Sequence, residues 1–351
     1  MNDGLRSAVG AGDVSYPSLP VSRRASIVVA LLACALLGGC GGDDDDDAAD
    51  RRPPVANPAE FPAANGRSLA DLRKGLGRGG PVLAPSVLDL TTGENRFGFG
   101  LFERDRSQIA DAQVVVYVAP IGGGPAKGPY QARYESLEVK PQFQSQQSAQ
   151  DPDAAKSVYV ADVPFDKPGQ YEVLGIARLD DRLVAATPAG GPLRVTDPAR
   201  DPVPRVGEAA PRIHTPTEAD TGGDIASIDT RVPPSTMHEV DFADVVGKEP
   251  AVLIFATPAL CQSRVCGPVV DIAEQVKAER GDDAQFIHME IYRDNRIDKG
   301  FRPQIAPYGL PTEPWLFAID RQGKVAARLE GAFSADELDR ALDEATEGQS
   351  R

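Results

Sequence analysis

The sequence predicts two folded domains of different class, an all-β domain over residues 81–197 and an α/β domain over residues 221–351. Short apolar runs with period-two alternation, separated by Gly, Pro and Asp, predict the strands of the first domain. An unbroken apolar run followed by an amphipathic stretch predicts a buried strand and a helix in the second domain. The chain has 351 residues, which is enough for about two ordinary domains after an N-terminal leader is removed.

The N-terminal region has the order of parts found in a secretory signal. Two arginines precede the apolar run 25–37, which is too short for a membrane-spanning helix. Residues 37–40, Leu-Gly-Gly-Cys, resemble the lipobox of bacterial lipoproteins. The resemblance implies that residues 1–39 are a signal peptide and that Cys40 carries a lipid, which would hold the protein outside the cytoplasm at a membrane. An ordinary signal peptide with an incidental cysteine is the alternative.

Residues 40–80 are predicted to form a flexible acidic tether. The first part of this region is mostly Gly, Asp, Ala and Pro, and residues 43–47 are consecutive aspartates. Such a composition buries too little apolar surface to offset the conformational entropy of the chain. The formal net charge of the whole chain is −15, which makes nucleic acid and anionic headgroups poor partners. We therefore expect lipid, and not charge, to hold the protein to the membrane.

The all-β domain is predicted from five strand-like runs, and residues 166–171 suggest its type. The runs are 96–102, 112–119, 157–163, 170–178 and 182–187. Residues 166–171, Asp-Lys-Pro-Gly-Gln-Tyr, resemble the turn-and-strand motif of immunoglobulin-like domains, in which the tyrosine pins a corner. The resemblance implies an immunoglobulin-like sandwich, while a Pro-Gly turn before a half-buried tyrosine is the alternative. We expect a spacer or a partner-binding role, since no residues here have catalytic spacing.

Residues 198–220, rich in Pro, Asp and Ala, are predicted to be a linker. After it, strands are predicted at 251–255, 284–291, 315–319 and 324–329, and a helix at 267–280. Ser334 and Glu337 have the spacing of a capping box, which predicts the start of a terminal helix. The succession is strand, helix, three strands and helix, and it predicts an α/β sandwich.

This succession resembles the thioredoxin fold, in which a buried strand leads into cysteines at a helix start, followed by a proline-led hairpin and a terminal helix. Residues 206–211 and 241–248 are similar to the leading segments of membrane-anchored extracytoplasmic thioredoxin-like proteins, and the likeness covers about residues 206–347. It implies that Pro314 is the family's cis-proline, which faces the cysteines and receives the substrate chain. Glu313 and Trp315, on either side of it, are then candidate substrate contacts.

Cys261 and Cys266 are the candidate redox pair. A helix N-terminus favours the thiolate form and lowers the thiol pKa, and Arg264 would add to this effect or contact the substrate. We therefore expect Cys261 to be the nucleophile and Cys266 the resolving thiol. The prediction is a thiol–disulfide oxidoreductase that acts on the thiols or disulfides of exported proteins and needs no cofactor.

The cysteine loop departs from the family pattern in three ways, of which one is Leu260 in the place of the family's usual Trp before the first cysteine. Four residues separate the cysteines, where the family usually has two. A disulfide then requires that the loop bring the Cα atoms within about 7 Å. The buried acid that the family often has on the preceding strand is also missing, because Ile254 or Phe255 occupies its place. Proton transfer to the resolving thiol would need another base, or water.

Two other functions stay open. Two thiolates suit Cu(I), and the loop is similar to that of Sco-type copper chaperones, so Cys261 and Cys266 are alternative copper ligands. Those chaperones have a three-residue spacing and a later histidine, whereas no histidine follows His288 here. The third possibility is a redox-silent binding module with a structural disulfide. His288 is expected to be a packed structural residue, and His214 and His238 are given no role.

Overall fold

The computed structural model describes residues 55–77 and 79–347. The predicted signal peptide, Cys40 and the first part of the tether lie outside these residues. Both described ranges belong to one compact unit. In the part of the chain that is described, no helix has the length and apolar character needed to cross a membrane.

The first half of the described chain is rich in strands. In chain order its elements are α1 (Leu69–Arg73), β1 (Val82–Pro85), β2 (Leu90–Thr91), β3 (Gly93–Phe102), β4 (Gln113–Pro120), β5 (Lys127–Ser136), α2 (Gln146–Gln150), β6 (Ser157–Phe165), β7 (Gly169–Leu179), β8 (Arg182–Pro188) and β9 (Leu193–Thr196). The five predicted strands correspond to β3, β4, β6, β7 and β8. The strands β1, β2, β5 and β9 have no counterpart in the prediction.

Seven of these strands close into a ring, in the order β7-β4-β5-β6-β3-β1-β8 and back to β7. β7 closes the ring because one of its edges pairs with β4, while the other is shared between β8 and β9. The all-β prediction is confirmed. The expected two-sheet sandwich is corrected to a barrel-like closed sheet, since long strands that pair on both edges leave no seam between two sheets. We call this part the ring domain.

The interior of the ring is apolar, and the turn before β7 has the tyrosine corner that residues 166–171 predict. Phe97, Phe99 and Tyr159 pack side by side in the core. The hydroxyl of Tyr171 donates a hydrogen bond to the carbonyl of Lys167 at 2.8 Å. This bond pins the turn before β7 and confirms the predicted tyrosine corner.

Residues 55–77, which were predicted to be part of the tether, pack on the outside of the ring. Phe61 and Leu72 are buried there beside Tyr117 of β4. The hydroxyl of Tyr117 donates to the carbonyl of Pro62 at 2.7 Å. The tether prediction is therefore wrong for this part, because apolar residues spaced among Ala, Gly and Pro meet an apolar outer face of β4 and β7.

The second half of the described chain is an α/β domain. Its elements are α3 (Phe242–Val245), β10 (Ala251–Phe255), α4 (Cys266–Arg280), β11 (Gln285–Met289), β12 (Trp315–Ile319), β13 (Val325–Glu330) and α5 (Ala335–Thr346). The sheet order is β11-β10-β12-β13, with β10 and β11 parallel and the other pairs antiparallel. The predicted succession of elements is confirmed.

Both faces of this small sheet are covered, so that every residue of β10 and β12 is buried. α4 and α5 cover one face. The other face packs against α3 and against Val203, Ala210 and Ile213, which come from the segment predicted as a linker. That segment is thus attached to the α/β domain by its apolar side chains.

The ring domain and the α/β domain pack directly on each other. Val158 and Val160 of β6 belong to the same apolar cluster as Phe333 and Leu338 beside and within α5. The outer face of β6 therefore completes the core of the α/β domain.

A buried ion-pair network runs beside this apolar contact. Glu337 of α5 is 2.6 Å from Arg96 of β3 and 3.0 Å from Arg133 of β5. Ser334 caps α5 by accepting a hydrogen bond from the Glu337 N–H at 3.1 Å. The predicted capping box is therefore right for Ser334, while the Glu337 carboxylate pairs with the ring domain.

Candidate functional site

Cys261 and Cys266 are joined by a disulfide. Their Cα atoms are 5.9 Å apart, which is inside the range that a disulfide requires. A tight turn precedes the loop, since the N–H groups of Leu260 and Cys261 both donate to the Thr257 carbonyl, at 3.2 and 3.1 Å. The four-residue spacing is thus compatible with a closed pair.

The two sulfurs differ in position and exposure. α4 begins at Cys266, so the expectation that Cys261 starts the helix is corrected: Cys261 lies in the loop before it. Cys266 is fully buried, whereas Cys261 is partly exposed. Val265, the residue before the helix, makes no side-chain cap in the described structure, and because Pro268 has no N–H, only the N–H groups of Cys266 and Gly267 in the first turn lack an intrahelical acceptor. An incoming partner can reach Cys261 and not Cys266.

The segment that faces the cysteines contains a cis peptide bond between Glu313 and Pro314, as the resemblance implied. The Pro314 carbonyl accepts a hydrogen bond from the Gly331 N–H at 2.9 Å. The Thr312 hydroxyl donates to Glu330 at 2.6 Å and accepts from the indole N–H of Trp315 at 3.0 Å. Bonds on both sides of the cis bond therefore fix this segment.

Glu313 lies beside the disulfide. One of its carboxylate oxygens and the two sulfur atoms are all within 4.8 Å of one another. Burial and the negative charge of Glu290 raise the pKa of Glu313 to about 7, although a hydrogen bond with Tyr292 acts in the opposite direction. A carboxyl group with a pKa raised towards neutrality beside a cysteine pair is typical of functional sites.

A cleft of about 310 Å³ separates the cysteine loop from the segment before Pro314. Its lining includes Gln262 and Ser263 from the loop, and Phe301, Leu310 and Glu313 from the opposite side. Phe301 is 56% exposed. The cleft therefore offers apolar contacts and one carboxyl group next to Cys261.

Arg264 lies beside the pair, but its charge is already balanced. Its guanidinium is 2.9 Å from Asp151 and 2.7 Å from Asp153, which follow α2 in the ring domain. The Ala155 N–H also donates to the Arg264 carbonyl at 3.4 Å. Cys261, Arg264 and Asp151 share the wall of a second cavity, of about 480 Å³. The ring domain thus contributes charges to the surroundings of Cys261.

Trp315 lies in the core and not on the open surface of the cleft. It is 2% exposed and packs beside Phe317, with ring centroids 5.8 Å apart. The Arg328 guanidinium lies 5.7 Å from the Trp315 ring centroid. Trp315 therefore contacts the segment with the cis bond through its hydrogen bond to Thr312. The side chain that lies close to the sulfurs is that of Glu313.

A buried cluster of Asp229, His238 and His288 lies behind the site. Asp229 Oδ2 is 3.0 Å from His238 Nε2 and 3.4 Å from His288 Nδ1. His288 Nε2 is 3.1 Å from the carbonyl of Ala256, which follows β10. Burial acts to lower the pKa of His288, but Asp229 and Glu290 outweigh it and raise the value to about 9. His288 is packed, as predicted, and it ties the segment before the cysteines to Asp229.

Four residues of the site are not predicted from the sequence, and they are Glu290, Tyr292 and the two aspartates that pair with Arg264. Glu290 has a recognisable signal, because an acid within the apolar run 286–291 is unexpected unless it has a partner. Asp151 and Asp153 have none, since more than 100 residues separate them from Arg264.

No protein-family model and no curated protein matches the chain. Among solved structures, a Chlorobium tepidum protein described as a thiol:disulfide interchange protein, DsbE, aligns with 41% of this chain and 99% of its own length. The identity is 20% and the TM-score is 0.30. A likeness at this level assigns neither a fold nor a function to the chain.

Proposed function

We propose that the chain is a thioredoxin-like thiol–disulfide oxidoreductase. The observation that carries the proposal is the asymmetric disulfide, in which Cys261 is accessible and Cys266 is buried at the start of α4. The order and directions of the four strands and the cis bond at Pro314 support the thioredoxin-like assignment. An exposed sulfur next to a cleft can meet a partner, while its buried neighbour resolves the bond.

In the proposed reaction, the reduced Cys261 attacks one sulfur of a partner disulfide as a thiolate. A mixed disulfide forms and the first partner thiol leaves. Cys266 then attacks the Cys261 sulfur, which restores the Cys261–Cys266 disulfide and releases the second partner thiol. Two electrons pass to the partner, and the reverse sequence oxidises a dithiol. The sulfur atoms carry the electrons, so the proposal includes no cofactor.

We place this reaction outside the cytoplasm, on exported proteins with thiols or disulfides. The signal-like order of residues 1–39 supports export, and Cys40 supports attachment to a membrane through lipid. The charge of −15 favours protein over nucleic acid as the partner.

Copper binding is the weaker candidate. Two thiolates suit Cu(I), but the third group near the pair is Glu313, whose hard carboxylate oxygen is a poor match for that ion. We therefore do not propose a copper function, and a calorimetric titration of the reduced protein with Cu(I) that shows no tight binding would agree with this choice.

The test is the reduction potential of the Cys261–Cys266 pair, measured by thiol trapping and mass across thiol redox buffers. We expect a value between about −120 and −270 mV, the range of working oxidoreductases. Cys261→Ser should abolish disulfide exchange with a protein substrate, and Cys266→Ser should trap the mixed disulfide. A potential below about −300 mV would instead indicate a structural disulfide and contradict the proposal.

A further inference from the structure

The buried position of Cys266 creates a requirement for a base. Before Cys266 can attack the mixed disulfide it has to lose its proton, because the thiolate is the nucleophile. β10, the strand that leads to the cysteines, has the composition Ala-Val-Leu-Ile-Phe and is buried throughout. No residue of that strand can accept the proton, so the acceptor is either water or a group on another element.

We propose that Glu313 accepts the proton of Cys266 and returns it to the departing partner thiolate. This inference rests on the proposed function and adds a proton carrier to it. One Glu313 carboxylate oxygen and both sulfurs lie within 4.8 Å of one another, which is within reach of a single bridging water. Oε2 of Glu313 is buried and has no hydrogen-bond partner among residues 55–77 and 79–347. A carboxylate oxygen without a partner has a lone pair available for a proton.

The surroundings of Glu313 suit this role. The titratable and charged groups that face it are Glu290 and Tyr292 after β11, and the two cysteines. Burial and the charge of Glu290 bring the pKa of Glu313 to about 7, so that both protonation states are populated near neutrality. The pKa of the Tyr292 phenol is raised, first by burial and then by the charge of Glu313 and a hydrogen bond with its carboxyl group. A base whose pKa is close to the working pH transfers protons in both directions most effectively.

The Cys266 S–H bond breaks and its proton goes to the Glu313 carboxylate. The Cys266 sulfur forms a bond with the Cys261 sulfur, and the bond between Cys261 and the partner breaks with its electron pair on the partner sulfur. That thiolate takes the proton from Glu313. The partner disulfide is reduced, the cysteine pair is oxidised, and Glu313 ends as it began.

The experiment compares wild type with Glu313→Gln in stopped-flow oxidation of the reduced protein by the small disulfide DTNB. The first release of its coloured thiolate reports the attack by Cys261, and the second reports the attack by Cys266. We expect Glu313→Gln to slow the second phase at pH 7 by about 100-fold, a typical contribution of a general base, and not to slow the first phase. The wild-type second phase should show an inflection near the Glu313 pKa of about 7, which the variant lacks.

Two further variants separate proton transfer from structural effects. Glu290→Gln keeps the acceptor and removes the repelling charge, so it should move the inflection to lower pH without abolishing the second phase. Cys266→Ser should show the first phase alone, which identifies the two phases. Equal second-phase rates in wild type and Glu313→Gln from pH 6 to 9, or an unchanged inflection in that variant, would overturn the role of Glu313.

The outcome is independent of the biological partner. DTNB oxidises an accessible dithiol whatever its natural substrate is. A reduction potential too low for an oxidoreductase would therefore refute the proposed function, while the comparison of the second phases would still decide whether Glu313 carries the proton.

Discussion

The Glu313 side chain lies where its ionised form is unfavourable. Glu313 is partly buried near Glu290, and neither burial nor like charge stabilises its ionised form in the folded state. Glu290 is held in place by Thr230, whose N–H and hydroxyl donate to it at 2.8 and 2.6 Å. Residues that oppose folding in this way are expected mainly where function requires them.

His288 carries a prediction about stability and pH. Its two ring nitrogens face the Asp229 carboxylate and the Ala256 carbonyl, which favours the protonated ring and raises its pKa to about 9 from an unfolded value of about 6.5. Because the folded protein binds this proton more tightly, His288 stabilises the fold fully at a pH below its pKa in the unfolded state. The stabilisation is lost as the pH rises through its pKa in the folded state. We expect the free energy of unfolding of the oxidised protein to fall between about pH 6.5 and 9, in urea titrations.

His288→Gln is the control for that titration. It removes the titrating ring, so the variant should be less stable than wild type at pH 6 and the difference should shrink towards pH 9.5. Parallel stability curves for the two proteins over this range would show that His288 does not bind the extra proton.

The cysteine loop is paired with charges from the ring domain. Asp151 and Asp153 pair with Arg264, and Asp151 lines the cavity that Cys261 also lines. Replacing both aspartates with Asn removes two negative charges and leaves the positive charge of Arg264 uncompensated. In the reduced protein both changes favour the thiolate of Cys261, so we expect the alkylation of Cys261 by iodoacetamide at pH 6 to become several-fold faster in low salt.

Asp166→Asn is a matched control, since Asp166 pairs with Lys127 elsewhere on the ring domain. It should leave the alkylation rate unchanged. The explanation fails if the Asp151→Asn, Asp153→Asn protein reacts no faster than this control, or if the effect persists in high salt, where exposed charges are screened.

Some strands and helices can be predicted from the sequence and others cannot, and the reasons are physical. Five strands of the ring domain, the four strands of the α/β domain and both long helices can be predicted from hydrophobic patterns, and Ser334 from capping chemistry, because these signals are local. β5 is missed because its sequence, with Pro129 and several charged residues, lacks the alternating apolar pattern. Its charges have long-range partners instead, such as the pair between Arg133 and Glu337. No local pattern contains that information.

The candidate site divides in the same way. The two cysteines and Pro314 can be recognised from the sequence because the family resemblance places them in order along the chain. The position of Glu313 relative to both sulfurs depends on how the loop before β12 packs against the loop before α4. The contact of Arg264 with Asp151 depends on the packing of two domains. These are tertiary facts, which a sequence without aligned relatives does not encode in a readable form.

The two domains are in close contact at Gly331, where there is no room for a side chain. Gly331 has a φ of +72°, and a Cβ there would lie 2.0 Å from the Ser86 carbonyl oxygen of the ring domain. Its N–H also donates to the Pro314 carbonyl. We expect Gly331→Ala to lower the free energy of unfolding by more than the roughly 1–2 kcal/mol that a positive φ alone costs.

Gly190→Ala isolates the cost of the backbone conformation. Gly190 has a φ of +83° and no atom within 4 Å of its would-be Cβ, so only the conformational penalty applies there. Urea unfolding of both variants measures the difference. Equal losses would mean that the domain interface moves to accommodate the methyl group at residue 331.

The contact between the ring domain and the cysteine loop limits the directions from which a partner can approach. Residues 147–154 stand along one flank of Cys261, and the cleft that contains Phe301 and Leu310 opens on another. An extended or unfolded segment can enter such a slot with its disulfide at the sulfur. In the proposed exchange we therefore expect a disulfide in an extended segment to react faster than one held in a rigid convex surface, because the ring domain stands beside Cys261.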